Sequence, residues 1–367
     1  AAEIALAGER ARLPDGRPRR CRTIFFGGGT PSLLTADQVA WLLGAARQAF
    51  AVDAAAEITL EANPGAIERG HLGELHAVGI TRLSMGAQSF DAGLLRWMGR
   101  IHTPAEIEDA LHAARHAGFT SINLDFIFAL PGQTLDTWSA TLERALALAP
   151  EHLSLYSLIV EEGTPLHRWV AQGRVRPADD DVAADHYEYA AQRLAAAGYQ
   201  QYEISNWALP GHQCQHNLTY WRNLPYVGLG AGAHGWFGAR RYAEARPIHE
   251  YIGRVVNTTH GQRDATAGAR TDDDARDENL PGGAIVDVEV ISPEMEMAET
   301  AMLGLRLVEG LSLNDFARRY GRTFASMFGA RLADVTELGL VEVRDDWIRL
   351  TERGRLLGNE VFERVLP

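Results

Sequence analysis

Cysteine is nearly absent from this 367-residue chain, which has only Cys21 and Cys214. Two thiols set so far apart exclude the disulfide framework of a small secreted domain, and a reducing cytoplasm becomes the expected location. Long apolar runs are missing as well. None approaches the roughly 20 residues that a membrane span requires. The first twenty residues carry Glu3, Glu9 and several arginines and show no apolar signal core. An excess of positive charge is also lacking. The formal net charge of −13 argues against general nucleic-acid binding, which needs a basic footprint. What remains is an ordinary globular composition, 46% hydrophobic and 23% charged. The length suits one large domain with a smaller one beside it.

The most informative stretch is a short apolar run followed by bare backbone: Thr23-Ile24-Phe25-Phe26, then Gly27-Gly28-Gly29-Thr30-Pro31-Ser32. Glycine has no Cβ, so a ligand can approach the main chain closely and use its N–H groups. A P-loop would need Lys followed by Ser or Thr after the glycines, and none follows. A dinucleotide-binding fingerprint would need a third glycine where Ser32 stands, and Pro31 removes an N–H. A tight strand-to-helix turn would account for one or two glycines, hardly for three in a row.

Strand-like and helix-like periods alternate through the first two hundred residues. Val39, Leu42, Leu43, Ala46 and Phe50 share a helical face, and Thr35 with Gln38 forms a capping-box pattern. Strand-like runs follow at Ile58–Leu60, Arg82–Met85, Ile122–Phe126, Leu153–Leu158 and Tyr202–Ile204. A capped helix begins at Thr103-Pro104 and ends at Gly118, and another runs from about Asp181 to Ala197. Repeated strand–helix units predict an α/β fold with a parallel sheet. Residues 258–284 hold no aromatic side chain and cluster Asp272-Asp273-Asp274, which predicts a flexible linker or insertion over 251–292. Order is expected again from 293. Helical patterns at Glu296–Val308, Leu313–Tyr320 and Phe324–Leu338 precede a hairpin, Val341–Val343 to Trp347–Leu350, turning at Asp345-Asp346. This predicts a winged-helix-like domain over 293–367. Arg331 is balanced there by Asp334 and Glu337, which favours a packing role over DNA binding.

The ordered set FFGGGTPSLL, EITLEANP, RLSMGAQSF, GRIHT and NLDFIFALPGQT resembles the radical S-adenosylmethionine (SAM) family of oxygen-independent coproporphyrinogen III oxidases and their relatives. The later stretch CQHNLTYW resembles the His-Asn-x-x-Tyr-Trp motif of the HemW heme-chaperone branch. The likeness runs from about Arg20 to the C-terminus. It implies a partial (β/α) barrel over 1–250, here without the family's first strand, and cytoplasmic heme metabolism. Two departures stand out. The family holds a 4Fe–4S cluster on a Cys-x-x-x-Cys-x-x-Cys loop, and neither Cys21 nor Cys214 can belong to one. The cluster is therefore expected only in a longer form with a further N-terminal segment, and the chain as written is expected not to cleave SAM. Phe128-Ala129 also stands where the family more often has Tyr-Gly.

Polar residues at strand ends are the candidate ligand groups, because parallel strands bring their carboxyl ends together. Glu61 ends EITLE, Gln88 follows LSMGA and Asp125 lies within NLDFIF. A single strand-end acid is most often a cap. Three on successive strands beside a triple-glycine turn favour a site. The resemblance implies that Gly28, Gly29 and Thr30 line the methionine end of SAM. It further implies contacts from Glu61, Gln88, Arg100 and Asp125, with Ile127 and Ile159 as apolar walls. His212, Cys214 and His216 alternate as on an extended segment, with His234 further on, and zinc is the rival reading. The aromatic surroundings (Trp207, Tyr220, Trp221, Tyr226, Trp236) suit a flat macrocycle better. By resemblance His216, Asn217, Tyr220 and Trp221 are the heme-side residues. No catalytic residue and no protein metal ligand is expected in this chain. The resemblance implies a heme chaperone that binds SAM and heme and delivers heme to apo-hemoproteins. The alternative it leaves is an oxidase that decarboxylates coproporphyrinogen III.

Overall fold

The computed structural model describes residues 1–65, 70–259 and 280–367. Five parallel strands stand side by side in chain order: β1 (Arg20–Phe26), β2 (Ala51–Ala62), β3 (Arg82–Gln88), β4 (Ile122–Phe128) and β5 (His152–Ser157). Ser84 lies opposite Asn123, and Asp125 opposite Ser154, so like-facing residues of successive strands form rows across the sheet. The sheet is completed by β6 (Gln200–Glu203) and β7 (Asn206–Ala208) in the order β5-β7-β6, both pairings antiparallel. The expected parallel sheet is thus present over β1–β5, and its last edge is antiparallel. The two residues between β6 and β7 suffice for a hairpin and fall far short of a parallel crossover.

The helices Ala36–Ala49, Pro104–His116, Leu135–Ala147 and Asp180–Ala196 alternate with the strands. The first two begin at the capping boxes anticipated at Thr35/Gln38 and Thr103/Glu106. Along each central strand the side chains alternate. Leu83, Met85 and Ala87, Leu124, Phe126 and Phe128, and Leu153 and Leu155 are buried in the core with the helices. Burial of each large aliphatic or aromatic side chain contributes about 1.5–3 kcal/mol. Trp138 is wholly buried there and its indole N–H donates to the His186 carbonyl at 2.9 Å. The opposite face carries Arg82, Ser84, Gly86 and Gln88, Asn123, Asp125 and Ile127, and His152, Ser154 and Tyr156, and these line a cavity. The period of two therefore separates a dry face from a polar lumen, as in a half-closed barrel.

A second sheet joins β8 (His234–Phe237), β9 (Arg240–Glu244) and β10 (Ile285–Val290) in antiparallel order. The linker anticipated over 251–292 is thus ordered at both ends. Helix Ile248–Thr259 occupies its start, and β10 pairs with β9 near its end. Leu280 and Ala284 are buried. Glu3 accepts from the Gly283 N–H at 3.2 Å, Glu244 from the Ala284 N–H at 2.6 Å, and Arg10 donates to the Leu280 and Gly282 carbonyls. These partners come from distant parts of the chain, which local composition does not reveal. Asp272-Asp273-Asp274 lie outside the described residues.

The C-terminal part opens with helix Pro293–Leu305. A small sheet follows, β11 (Leu311–Ser312), β12 (Val341–Arg344) and β13 (Trp347–Leu350), in the order β11-β13-β12, with short helices around it. Phe316, Phe324, Phe328, Val335, Ile348 and Val361 form its core. The single helix anticipated over Phe324–Leu338 is two, Phe324–Phe328 and Ala333–Glu337. Gly329-Ala330 has little to bury, and the turn there lets Phe328, Leu332 and Val335 reach the same core. Among the described residues no helix is long and apolar enough to cross a membrane.

Candidate functional site

At the carboxyl ends of β1–β5 lies a cavity of about 560 Å³. Its rim begins at the glycine turn. Gly28 and Gly29 hold φ of +80° and +65°, a left-handed backbone that glycine adopts without a Cβ penalty. A Cβ on either would meet nothing within 4 Å, so the turn opens toward space. The Gly28 N–H donates to Glu61 Oε2 at 3.0 Å, which ties the turn to the end of β2. Gln88, at the end of β3, holds φ +66° where the β3–β4 register slips. Such a backbone in a non-glycine residue costs about 1–3 kcal/mol and is commonly held at functional sites.

Gly29, Thr30, Glu61, Gln88, Arg100, Asp125 and Ile127 all line this one cavity, and Gly28 joins through its bond to Glu61. Ile159 does not. It is 74% exposed beyond β5, because the chain leaves the sheet before reaching it. Burial pushes the Glu61 carboxyl up, the Gly28 N–H opposes this, and the nearby Asp125 charge adds to it. Burial also raises Asp125, against hydrogen bonds from Ser154, Asn123 and Ser84 and the Arg82 charge. Two carboxylates thus face one space with elevated proton affinity.

Beneath Asp125 runs a directed hydrogen-bond chain. Asn123 Nδ2 donates to Asp125 Oδ1 and to Ser84 Oγ, each at 2.8 Å, and Ser84 donates on to Asp125 Oδ2 at 3.2 Å. The amide must face this way, since its oxygen would otherwise oppose a carboxylate. Asn123 Oδ1 then accepts from His152 Nδ1 at 2.7 Å and from Ser154 at 3.1 Å. Burial, together with the charges of Arg82 and His212, holds His152 well below its usual range, so the ring is neutral and Nε2 is an acceptor. Tyr202 therefore donates to Nε2 at 2.9 Å and accepts from Asn217 Nδ2 at 3.2 Å. The chain links Asp125 on β4 to the helix Gln215–Trp221.

That helix replaces the extended segment anticipated at 212–216. Cys214 is its N-cap, buried, with burial pushing the thiol up to about 11. The Glu57 carboxylate of β2 accepts from the Gln215 and His216 N–H groups at 3.0 and 2.9 Å, an anion set against a helix N-terminus. A zinc clip is not formed. Among the described residues no group of three or more His, Cys, Asp and Glu could hold a metal ion. His216 stacks on Phe25 at 5.1 Å, with Nδ1 at 2.9 Å from Thr23 Oγ1 and Nε2 at 2.9 Å from the Tyr220 hydroxyl. Burial lowers this imidazole to about 4. His216, Asn217 and Tyr220 line the same cavity as the strand-end residues. Trp221 does not. It packs with Tyr202, Leu218 and Leu307, and the Arg306 guanidinium lies 4.5 Å above its ring. Its position, one step beyond Tyr220, points it at the C-terminal domain.

Arg82, Asn123, His152 and Ser154 also line this cavity, and Glu57 and Tyr202 brace it through His216 and His152, none of them marked as a ligand residue by the sequence. The period of two in Arg82-x-Ser84-x-Gly86-x-Gln88 and in Asn123-x-Asp125-x-Ile127 was the available signal. The donor set fits SAM: carboxylates for its ammonium and ribose hydroxyls, exposed backbone at the glycine turn, and an apolar Ile127 wall. The same residues do not fit a 4Fe–4S cluster. Cys21 is tied at 3.3 Å to the Thr23 carbonyl, Cys214 caps a helix, and a cluster with one open iron needs three thiolates.

Comparisons with known proteins bear on the family and the fold. The Radical SAM superfamily model matches residues 9–145, and the HemN C-terminal domain model matches 291–357. The chain is 34% identical over 347 residues to "Heme chaperone HemW" of Lactococcus lactis, covering 95% of this chain and 85% of that protein. It is 36% identical over 346 residues to the protein of that name from Bacillus subtilis, covering 94% and 85%. Coproporphyrinogen III oxidase (HemN) from Escherichia coli shares the fold, with a TM-score of 0.76 at 24% identity over 98% of this chain and 81% of that one. The chain belongs to the HemW heme-chaperone family of the radical SAM superfamily.

Proposed function

We propose that this protein is a heme chaperone that binds SAM and heme in the lumen of its half-barrel and passes heme to apo-hemoproteins in the cytoplasm. One observation carries the reading. The SAM-type residues of β1–β4 and the His216/Asn217/Tyr220 face of one helix open into a single cavity. Glu61, Gln88, Arg100 and Asp125 hold SAM, and Gly28, Gly29 and Thr30 border its methionine end. His216 is the heme-side ligand. It is neutral down to about pH 4, the form that coordinates iron, and Tyr220 occupies its Nε2 until heme arrives. Trp221 fixes the helix from behind.

Heme titrated into the protein should shift the Soret band with a one-to-one end point, and a loaded sample should transfer heme to an apo-hemoprotein. No shift at stoichiometric heme would sink the proposal. Conversion of coproporphyrinogen III by the protein would instead favour the oxidase. Replacing His216 by Ala should abolish the axial-ligand signature in the spectrum while leaving SAM binding measurable by calorimetry.

A further inference from the structure

Arg82 stands apart among the arginines. It is 3% exposed, its Nε is buried without a partner, and no hydrogen bond or ion pair reaches its guanidinium among the described residues. It nevertheless lines the cavity. Its charge is felt by Asp125 on β4, His152 on β5, Tyr202 on β6, and Cys214 and His216 at the helix beyond. The Asp125 carboxylate is near enough to feel this charge but does not hydrogen-bond it, and a buried guanidinium left without a hydrogen-bonded partner is strongly unfavourable. A guanidinium held ready beside a ligand cavity matches a carboxylate, which its planar fork can engage through two parallel hydrogen bonds.

We propose that Arg82 is the anion site of this cavity and takes a carboxylate of the bound ligand, a propionate of the porphyrin. The assignment rests on the heme-binding reading above. Position favours the propionate over the carboxylate of SAM. Arg82 begins β3 and Gln88 ends it, a separation of roughly 20 Å along an extended strand. The glycine turn lies at the carboxyl-end mouth. Arg82 lies at the floor beside His152, Cys214 and His216, where a flexible propionate arm can reach down.

Heme and its dimethyl ester, which lacks free carboxylates, are titrated into the wild type, Arg82→Gln and Arg82→Lys. SAM and decarboxylated SAM form a parallel calorimetric series. The wild type should bind heme roughly 10- to 100-fold more tightly than the ester, the range for a lost charged hydrogen bond. That gap should collapse in Arg82→Gln and survive in part in Arg82→Lys, which keeps the charge without the fork. The acid-to-ester comparison within the wild type needs no variant and so does not depend on the variants folding. A gap that persists in Arg82→Gln, or no gap in the wild type, overturns the propionate assignment. A gap confined to SAM and abolished by Arg82→Gln moves the anion to the SAM carboxylate and likewise overturns it. If the wild type binds no heme at all, the heme-chaperone reading fails, and the SAM series alone decides whether Arg82 is an anion site.

Discussion

The C-terminal domain buries Phe316, Phe324 and Phe328 against one another, whereas the lumen of the large sheet buries Arg82, Asn123, Asp125 and His152. In the first region every packed ring adds to stability, about 1.5–3 kcal/mol for a fully buried side chain. In the second, each ionisable group loses hydration, and only some of them recover it through hydrogen bonds. Asp125 recovers most, through Asn123 and Ser84. Among the described residues Arg82 recovers none through a hydrogen bond. The difference teaches that the lumen is arranged for a ligand at the expense of stability, while the small domain is arranged for folding.

The comparison breaks most readily at Phe328. Its ring centroid lies 5.0 Å from that of Phe324 and 6.1 Å from that of Phe316. Phe328→Ala should destabilise the C-terminal domain by about 3–5 kcal/mol, read by urea unfolding. Ligand affinity in native buffer should stay put. A loss under about 1 kcal/mol would show that this core is not what holds the domain. At Asp125 the opposite pattern is expected. Asp125→Ala should weaken SAM binding by about 1–3 kcal/mol in calorimetry, with little or no loss in thermal stability. A variant that unfolds while keeping its SAM affinity would erase the contrast between the two regions.

Acid sharpens the same contrast. His216 is held neutral in the lumen, lowered from 6.5 to about 4, while the unfolded chain leaves it free to protonate at its ordinary value. The unfolded state therefore binds the extra proton between those two pH values. Stability contributed by the neutral ring is complete above pH 6.5 and is lost as pH falls toward 4. His216→Gln removes this proton. The melting-temperature difference between wild type and variant should be flat above pH 7 and should shrink between pH 6.5 and 4. A constant difference across that window would mean that the ring is not buried in solution. His152 stays wild type in both proteins and cancels from the comparison.

Much of the large sheet could be read from the chain, for a physical reason. The apolar alternation of β3–β5 and the capping boxes at Thr35 and Thr103 are local signals. The fold class, the seven cavity-lining residues from Gly29 to Ile127, and the hairpin at Asp345-Asp346 followed from such signals or from the motif likeness. The lumen network escaped because its members are ordinary residue types whose meaning depends on partners in other strands. Arg82 is one of 35 basic residues until the sheet shows that among the described residues none hydrogen-bonds its guanidinium. Glu57 is an unremarked strand acid until the helix Gln215–Trp221 sets its N-terminus on it. The motif likeness puts Trp221 on the heme side because the motif is contiguous in sequence, yet helical geometry packs it with Tyr202, Leu218 and Leu307 instead. Ile159 enters as an apolar wall through the motif likeness alone, and the structure leaves it exposed beyond the end of β5.

Ala129 closes the series with the smallest effect. By the motif likeness it stands in place of a glycine, and its φ is +55°, the left-handed region. Holding a non-glycine residue there costs about 1–2 kcal/mol. The backbone around it is well fastened. The Leu158 N–H donates to the Phe128 carbonyl at 3.0 Å, and the Leu130 N–H donates to Gln133 Oε1 at 3.2 Å. Ala129→Gly would relieve the strain, but the freer unfolded chain takes back about 0.4–1 kcal/mol. Loss of a methyl that is only 4% exposed takes back up to about 0.8 kcal/mol more. The terms nearly cancel, so urea unfolding should place the variant within about 1 kcal/mol of wild type. That near-balance explains how this chain carries alanine at a left-handed position beside its site. A gain above about 2 kcal/mol would instead mean that strain at the end of β4 is stored there, and the lumen would then hold backbone strain as well as a buried guanidinium short of hydrogen bonds.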